Sequence, residues 1–551
     1  MKFTEVFTLL YLFCLPLASA KCKLKDNCRL VDVNASEKWL TDAEGRYRSI
    51  QACVNDAEFG DTCMLKSGSY HEEIEIDEKH NLTIRSENSK QPATLDGTIV
   101  LRPKNNGDWE EDEIMTENGE MKKVCLGEID VVDEKHPFQL FVKEKKKHEM
   151  MTNARWPNAL WTDRHPETNI PNVFYNDYWR KADNTEEMET PGRMADRKDV
   201  DGKSLLALSN LNMEGAMAIL NIGSFHTWHR QITSHNEGDA FFLFDDHDIK
   251  HTAGDKHEDI GKDQYYIDSK ETLLDNPGEW VYNKTTQMLK FMPLNGVCPD
   301  SSSDAVKGRV MDYAITIKEG SDITIKNLDF FASNLMSSDD HSVYGLYLDS
   351  LNFNYPVASH RMLQDDSIPK TTNIQVFKGG PIEITNCVFF GGEGTALVYG
   401  CRRCNEEDQG NVKITNNLFK WNDWSCVMDG SGMGAVVNKG GGGEHVIGNT
   451  WEYNAASVGI RPGLKSTIKE NRITGTRRGN IMSDGSSIHY MVIISLHIKL
   501  FRVIVIYISS YLKEFHNDNC RPTERMILWW LEIGFLIRPC LEYESMVVVI
   551  N

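Results

Sequence analysis

The sequence predicts an all-β chain wound as a parallel β-helix solenoid, and three observations carry that expectation. First, one short phrase recurs five times between Ile325 and Ile473: IKNLDF, ITNCVF, ITNNLF, VIGNTW and IKENRI. The intervals are 59, 30, 32 and 22 residues, the first worth about two turns of the others. Units of this length stack because none buries its apolar face alone. Second, β-branched and aromatic residues alternate with polar ones inside each phrase, the period of a strand. Third, an asparagine stands at the third or fourth place (Asn327, Asn386, Asn417, Asn449, Asn471). Asparagine tolerates left-handed backbone and bonds to its counterpart one turn away, so the series predicts a ladder at the corners.

The remaining elements follow in chain order. Residues 1–20 read as a secretory signal: Lys2, an apolar run over 7–17, and Ala18-Ser19-Ala20. Sequons at Asn34, Asn81 and Asn283 agree with an exported, glycosylated chain. Residues 21–45 form a polar lead-in. A short helix over 49–57 turns at Gly60-Asp61 into a strand at 62–65, and further strands follow near Ile74, Asn81–Ile84 and Thr98–Leu101. Residues 103–150 and 158–203 are expected as insertions, the second a Pro/Asp/Asn-rich loop. Ile219–His235 resumes the strand pattern, and 265–295 holds a hairpin arm around Gly278-Glu279-Trp280.

Thirteen cysteines are present, even in number once Cys14, Cys520 and Cys540 are set aside. In an oxidising compartment that pattern implies disulfides, with Cys53, Cys63, Cys22, Cys28, Cys401 and Cys404 as candidates. Cys401-Arg-Arg-Cys404 has no second CxxC for a zinc site, so a loop disulfide or a bridge to another turn is favoured over metal. The net charge of -21 makes the chain a poor nucleic-acid binder, and it repels an acidic polysaccharide unless Ca²⁺ or a basic strip intervenes.

The opening stretch from Arg48 to Ile76 resembles the start of secreted right-handed parallel β-helix proteins of the pectate-lyase-like superfamily. That resemblance implies a helix capping the N-terminal end of one β-helix domain over 21–490. Three further phrases resemble a group of large secreted β-helix proteins that act on carbohydrates: Ala154-Arg-Trp-Pro-Asn158, the Gly278-Glu-Trp280 hairpin and Asn422-Asp-Trp424. After Tyr490 the language changes, with one glycine in 491–551 and no further asparagine phrase. Two readings stand for this tail. It is a non-homologous replacement of the last turns, as when an unspliced intron is translated, or a membrane segment at 491–512. His497, Lys499 and Arg502 speak against the latter.

The richest stretch for chemistry runs from Trp421 to Arg461. Lys439 and Arg461 lie 22 residues apart, which would stack them on adjacent turns as a basic pair. That pair resembles one in Ca²⁺-dependent β-helix lyases, although Gly432 and Gly434 replace the acidic ligands such a site needs. A lyase needs a cation to neutralise the uronate, a base and a proton donor. A hydrolase instead pairs carboxylates, for which Asp423 with Asp429, or Glu393 with Asp423, are the candidates. Trp228 and His229, in a run that also holds His226 and His235, join Glu444 and His445 as substrate contacts. The expectation is a secreted monomer acting on an extracellular polysaccharide by β-elimination or hydrolysis. The rival is a non-catalytic glycan-binding or structural protein on the same scaffold.

Overall fold

The recurring phrase is one side of a coil. In the computed structural model the chain passes in turn through three parallel sheets and returns to the first, each coil adding one strand to each. The structure describes residues 28–34, 46–115, 119–186, 191–199, 201–222, 226–246, 249, 263–301, 303–337, 343–365, 370–371, 374–377, 381–400, 412–427, 436–438, 444–455, 458–461, 466–474, 486–488 and 548–549. The signal region, Cys22, Cys401, Cys404, Asp429, Lys439 and nearly all of 491–551 lie outside them. The chain is all-β, 47 % strand against 8 % helix, with large parallel sheets.

The first sheet includes Thr83–Ser86, Gly320–Lys326, Val343–Asp349, Ile382–Thr385, Val412–Thr415, His445–Ile447 and Thr467–Lys469. Val343–Asp349 supplies the turn missing from the 59-residue interval: Leu348 lies between Ile325 and Ile384, and the phrase there is LDSLNF. The asparagine series resolves into two columns rather than one. The third place is a left-handed corner, occupied by Asn327, Ser350, Asn386, Asn416, Gly448 and Glu470, all with φ between 53° and 69°. Gly448 is needed for closeness as well, since a Cβ there would lie 2.6 Å from Asn416 Oδ1.

The fourth place is the ladder. Asn417 Nδ2 donates to Ile384 O and to Asn449 Oδ1, and Asn449 Nδ2 donates to Ile414 O and Asn471 Oδ1. Asn327 and Asn386 belong to the corner, not to the ladder. The two places are neighbours in sequence and both favour asparagine, so sequence alone merges them. A second ladder, Asn422 to Asn454, runs along the next corner. The closing place of the phrase is an inward aromatic stack: Phe330, Phe353, Phe389, Phe419 and Trp451, with ring centroids 4.5–5.0 Å apart.

At the N-terminal end, Ser49 caps the helix Ile50–Asp56 by accepting from the Ala52 amide, and Ile50, Cys53 and Val54 enter the coil core. Cys53 and Cys63 form a disulfide there, and Cys28 is disulfide-bonded too. The last parallel strand of the first sheet, Thr467–Lys469, pairs antiparallel with Val548–Val549.

One large insertion interrupts the coils between Asp96 and Ile315. The coil closes across it as though it were absent: Ile315 pairs with Ile74, and Phe330 with Leu95. The inserted residues pair antiparallel except where Thr152–Asn153 runs parallel to Glu279–Asn283, which corrects the expectation of separate loops with a coil strand between them. Six strands close into an antiparallel barrel: Arg180–Glu186, Gly192–Asp196, Met217–Ile222, His226–Ser234, Phe241–Phe244 and Gln264–Asp268. The stretch at 158–203 read as loop thus carries two strands, and Ile219–His235 is a barrel hairpin. Alternation by twos announces a strand but not its partner. Glu279–Asn283 and Met288–Phe291 form a hairpin in a separate five-stranded sheet, tied by the Cys125–Cys298 disulfide.

Candidate functional site

The insert docks on the coils along a seam, and the three phrases that suggested carbohydrate-active relatives converge there. Arg155, on the strand Arg155–Trp156, is 2 % exposed. Its guanidinium lies 3.9 Å from the Tyr266 ring centroid and donates to Pro157 O and Tyr178 O. Burial pushes its pKa down. Glu279, fully buried, accepts the amides of Arg155, Asp275 and Asn276, and burial raises its pKa well above the carboxylate range. Tyr266 then crosses the seam, its hydroxyl donating to Ser425 O beside Asp423 and Trp424.

A second tie runs through Arg361, 1 % exposed, which donates to Asp268 of the barrel at 2.8 Å and to Glu393 of the coils at 2.7 Å. Burial opposes its charge, but the two carboxylates outweigh it and hold its pKa above the usual value. Glu393 also accepts the Ser359 amide, so it is committed to the seam and does not pair with Asp423. Trp161 packs into the aromatic side of the seam, within 5.6–6.1 Å of Tyr355, Phe390, Trp421 and Trp424.

Within this network one carboxyl group stands apart. Asp423 is 0 % exposed, sits at φ 59°, and neither carboxyl oxygen has a hydrogen-bond partner among the described residues. Its amide donates to Gly392 O at 2.7 Å, which fixes the backbone and leaves the side chain unpaired. Burial alone pushes its pKa to about 8. The group therefore carries a proton at neutral pH, as a general acid must. Cys426 is buried too, and burial raises that thiol well above its ordinary value.

The other sequence candidates are dispersed. Arg461 lies on the strand Val458–Arg461, where the register pairs it with Val437, two residues short of Lys439. Lys439 and Arg461 are thus not register partners, because the interval in the third sheet is 24 rather than the 22 of the first. Trp228 is 2 % exposed in the apolar core of the insert, opposite Leu220, and cannot stack on a sugar there. His229 is 1 % exposed and opposite Ile219 on the seam side. Glu444 is buried and accepts from Ser466 Oγ, while His445 is exposed on the outer face of the first sheet beside Lys413. Asn34, Asn81 and Asn283 are exposed. Among the described residues no group of three His, Cys, Asp or Glu side chains is placed to hold a metal ion. Among them, too, no helix is long and apolar enough to cross a membrane.

Sequence reasoning missed the Arg155–Glu279 and Arg361–Asp268–Glu393 ties. The first was hinted at by the ARWPN and GEW phrases, while nothing near Arg361 in sequence marks the second.

No protein-family model and no curated protein matches the sequence. Two solved structures match this chain. One, titled "The complex structure of XylC with xylose", covers 84 % of this chain and 74 % of its own at 8 % identity, with a TM-score of 0.28 too low to support an argument. The other, titled "Glycoside hydrolase", covers 84 % of this chain and 85 % of its own at 12 % identity with a TM-score of 0.53, so this chain shares the fold of that protein.

Proposed function

We propose that the protein is a secreted, carbohydrate-active enzyme that hydrolyses an extracellular polysaccharide, with Asp423 as the proton donor. The observation that carries this reading is the unpaired, protonated Asp423 carboxyl at the junction of coils and insert. Cleaving a glycosidic bond requires an acid that still holds its proton at working pH, and a dry site supplies one. The fold shared with a protein titled as a glycoside hydrolase supports the same reading. Elimination loses its main support with the shifted register of Arg461. Productive contact requires the seam to open beside Trp424 and Cys426, since Asp423 is enclosed.

The coil stack is, on this reading, a right-handed parallel β-helix of the pectate-lyase-like superfamily. Its three-sheet order and capped N-terminal end support that assignment. The disulfides Cys53–Cys63 and Cys125–Cys298 support an extracellular setting. The complete enclosure of Asp423 favours a second reading, a non-catalytic glycan-binding protein on the same scaffold. A polysaccharide panel separates them. Hydrolysis releases reducing ends without near-ultraviolet absorbance, elimination gives an absorbing unsaturated product, and a binding protein gives neither. In the hydrolase, Asp423→Asn lowers the rate by 100-fold or more, on the order expected for loss of a general acid. An unchanged rate removes Asp423 from the chemistry.

A further inference from the structure

The seam opens to solvent at a rim whose chemistry differs from the rest of this acidic surface. Trp421, half-buried at the second corner of its coil (φ 58°), is flanked by the Arg164 guanidinium at 5.1 Å and Lys420 Nζ at 5.3 Å from its ring. Each cation has acidic company. Lys420 pairs with Glu452 at 3.0 Å, and Arg164 feels the carboxylates of Glu149 and Asp163. The rim therefore holds no excess of cations, two against three carboxylates, on a chain that as a whole carries -21.

Two buried polar atoms here have no partner among the described residues, Trp421 Nε1 and Asn172 Oδ1. Asn172 is held beside Asp163, its amide donating to Asp163 O at 3.0 Å. Unpaired donors and acceptors in enclosed positions are costly unless a partner supplies hydroxyls or water. Aromatic edges and planar forks of Arg and carboxylate groups suit vicinal hydroxyls of a pyranose. A polyanion would meet the repulsion of the whole molecule with no excess cation at the rim to offset it.

We propose that the rim formed by Arg164, Asp163, Lys420 and Trp421 binds an uncharged polysaccharide. This rests on the carbohydrate-active reading above and narrows its substrate to a neutral polymer rather than a uronate or sulfated one.

Affinity electrophoresis of the full chain in gels containing galactomannan, β-glucan or arabinan, against polygalacturonate and alginate, tests it. The expected result is retardation by at least one neutral polymer, unchanged between 50 mM and 500 mM salt. Trp421→Ala and Arg164→Gln should each weaken that retardation tenfold or more, with Lys420→Gln as a solvent-side variant that leaves the packing intact. Melting curves confirm that each variant is folded. Retention on the anionic polymers alone, a steep salt dependence, or neutral binding indifferent to all three substitutions would overturn the proposal. Retention by the rim without release of reducing ends leaves the subsite standing and sinks the hydrolase reading. Reducing ends released from a uronate polymer do the reverse.

Discussion

Asp423 links one side chain to the behaviour of the whole fold through its proton. Its folded pKa of about 8 lies above the ordinary 3.8, so the folded state holds a proton that the unfolded chain releases between those values. That contribution to stability is full below about pH 4 and is lost as pH rises through 8, at roughly one kcal/mol per pH unit. Asp423→Asn removes the proton and with it this part of the slope. Urea unfolding at pH 5 and pH 8 should show wild type losing stability across the window and the variant losing less. The ladder gives a second test at this scale. Asn449→Leu leaves the Asn417 amide and the Ile414 carbonyl without partners inside the coil. A cost of about 2–4 kcal/mol is expected, read as a lower urea midpoint.

Among elements, the seam is held by a few ties that reach across it. Arg361→Leu would strand Asp268 and Glu393 in a dry interior, at a cost of about 3–5 kcal/mol. Arg361→Lys should fail nearly as badly, because an ammonium cannot reach both carboxylates with the spread of a guanidinium. Thermal melting of the two variants checks both statements. In the insert, Cys298→Ser frees a loop of 173 residues and forfeits at most about 5 kcal/mol by the chain-entropy argument. Faster hydrogen exchange in Glu110–Met115 and Met121–Glu128 is the expected local sign.

The elements also show where the sequence could be read and where it could not. The coils were legible because they repeat the same three needs: an inward aliphatic, a left-handed corner and a large apolar close, a ring in all but the last phrase. Ser350 and Leu351 at the third and fourth places, where the other phrases carry an asparagine, hid one coil from the repeat but not from the interval count. The barrel was illegible because its strands alternate as coil strands do, and closure depends on partners up to 85 residues apart, as between Arg180 and Tyr265. Of the candidate site, Asp423 was visible in its phrase. The burial that makes it an acid was not, since the neighbouring Ser425 is reached by Tyr266 of the insert, far away in sequence.

At the scale of the molecule, two kinds of β architecture meet, one local in its contacts and one not. Away from the insert the coils join neighbours 20–39 residues apart, as from Ile315 to Leu335 or Leu397 to Val436, while the insert must fold as a body before the seam can form. This division places the candidate site where neither part alone completes it.

The break between Asp96 and Ile315 also sets a clock. Ile74 cannot meet its partner until the chain has grown 241 residues further. At a synthesis rate of about 5–20 residues per second, that is roughly 12–50 seconds. During that wait the first turns present bare strand edges. A nascent chain stalled short of Ile315 should therefore be the form that chaperones hold and that aggregates when they are absent.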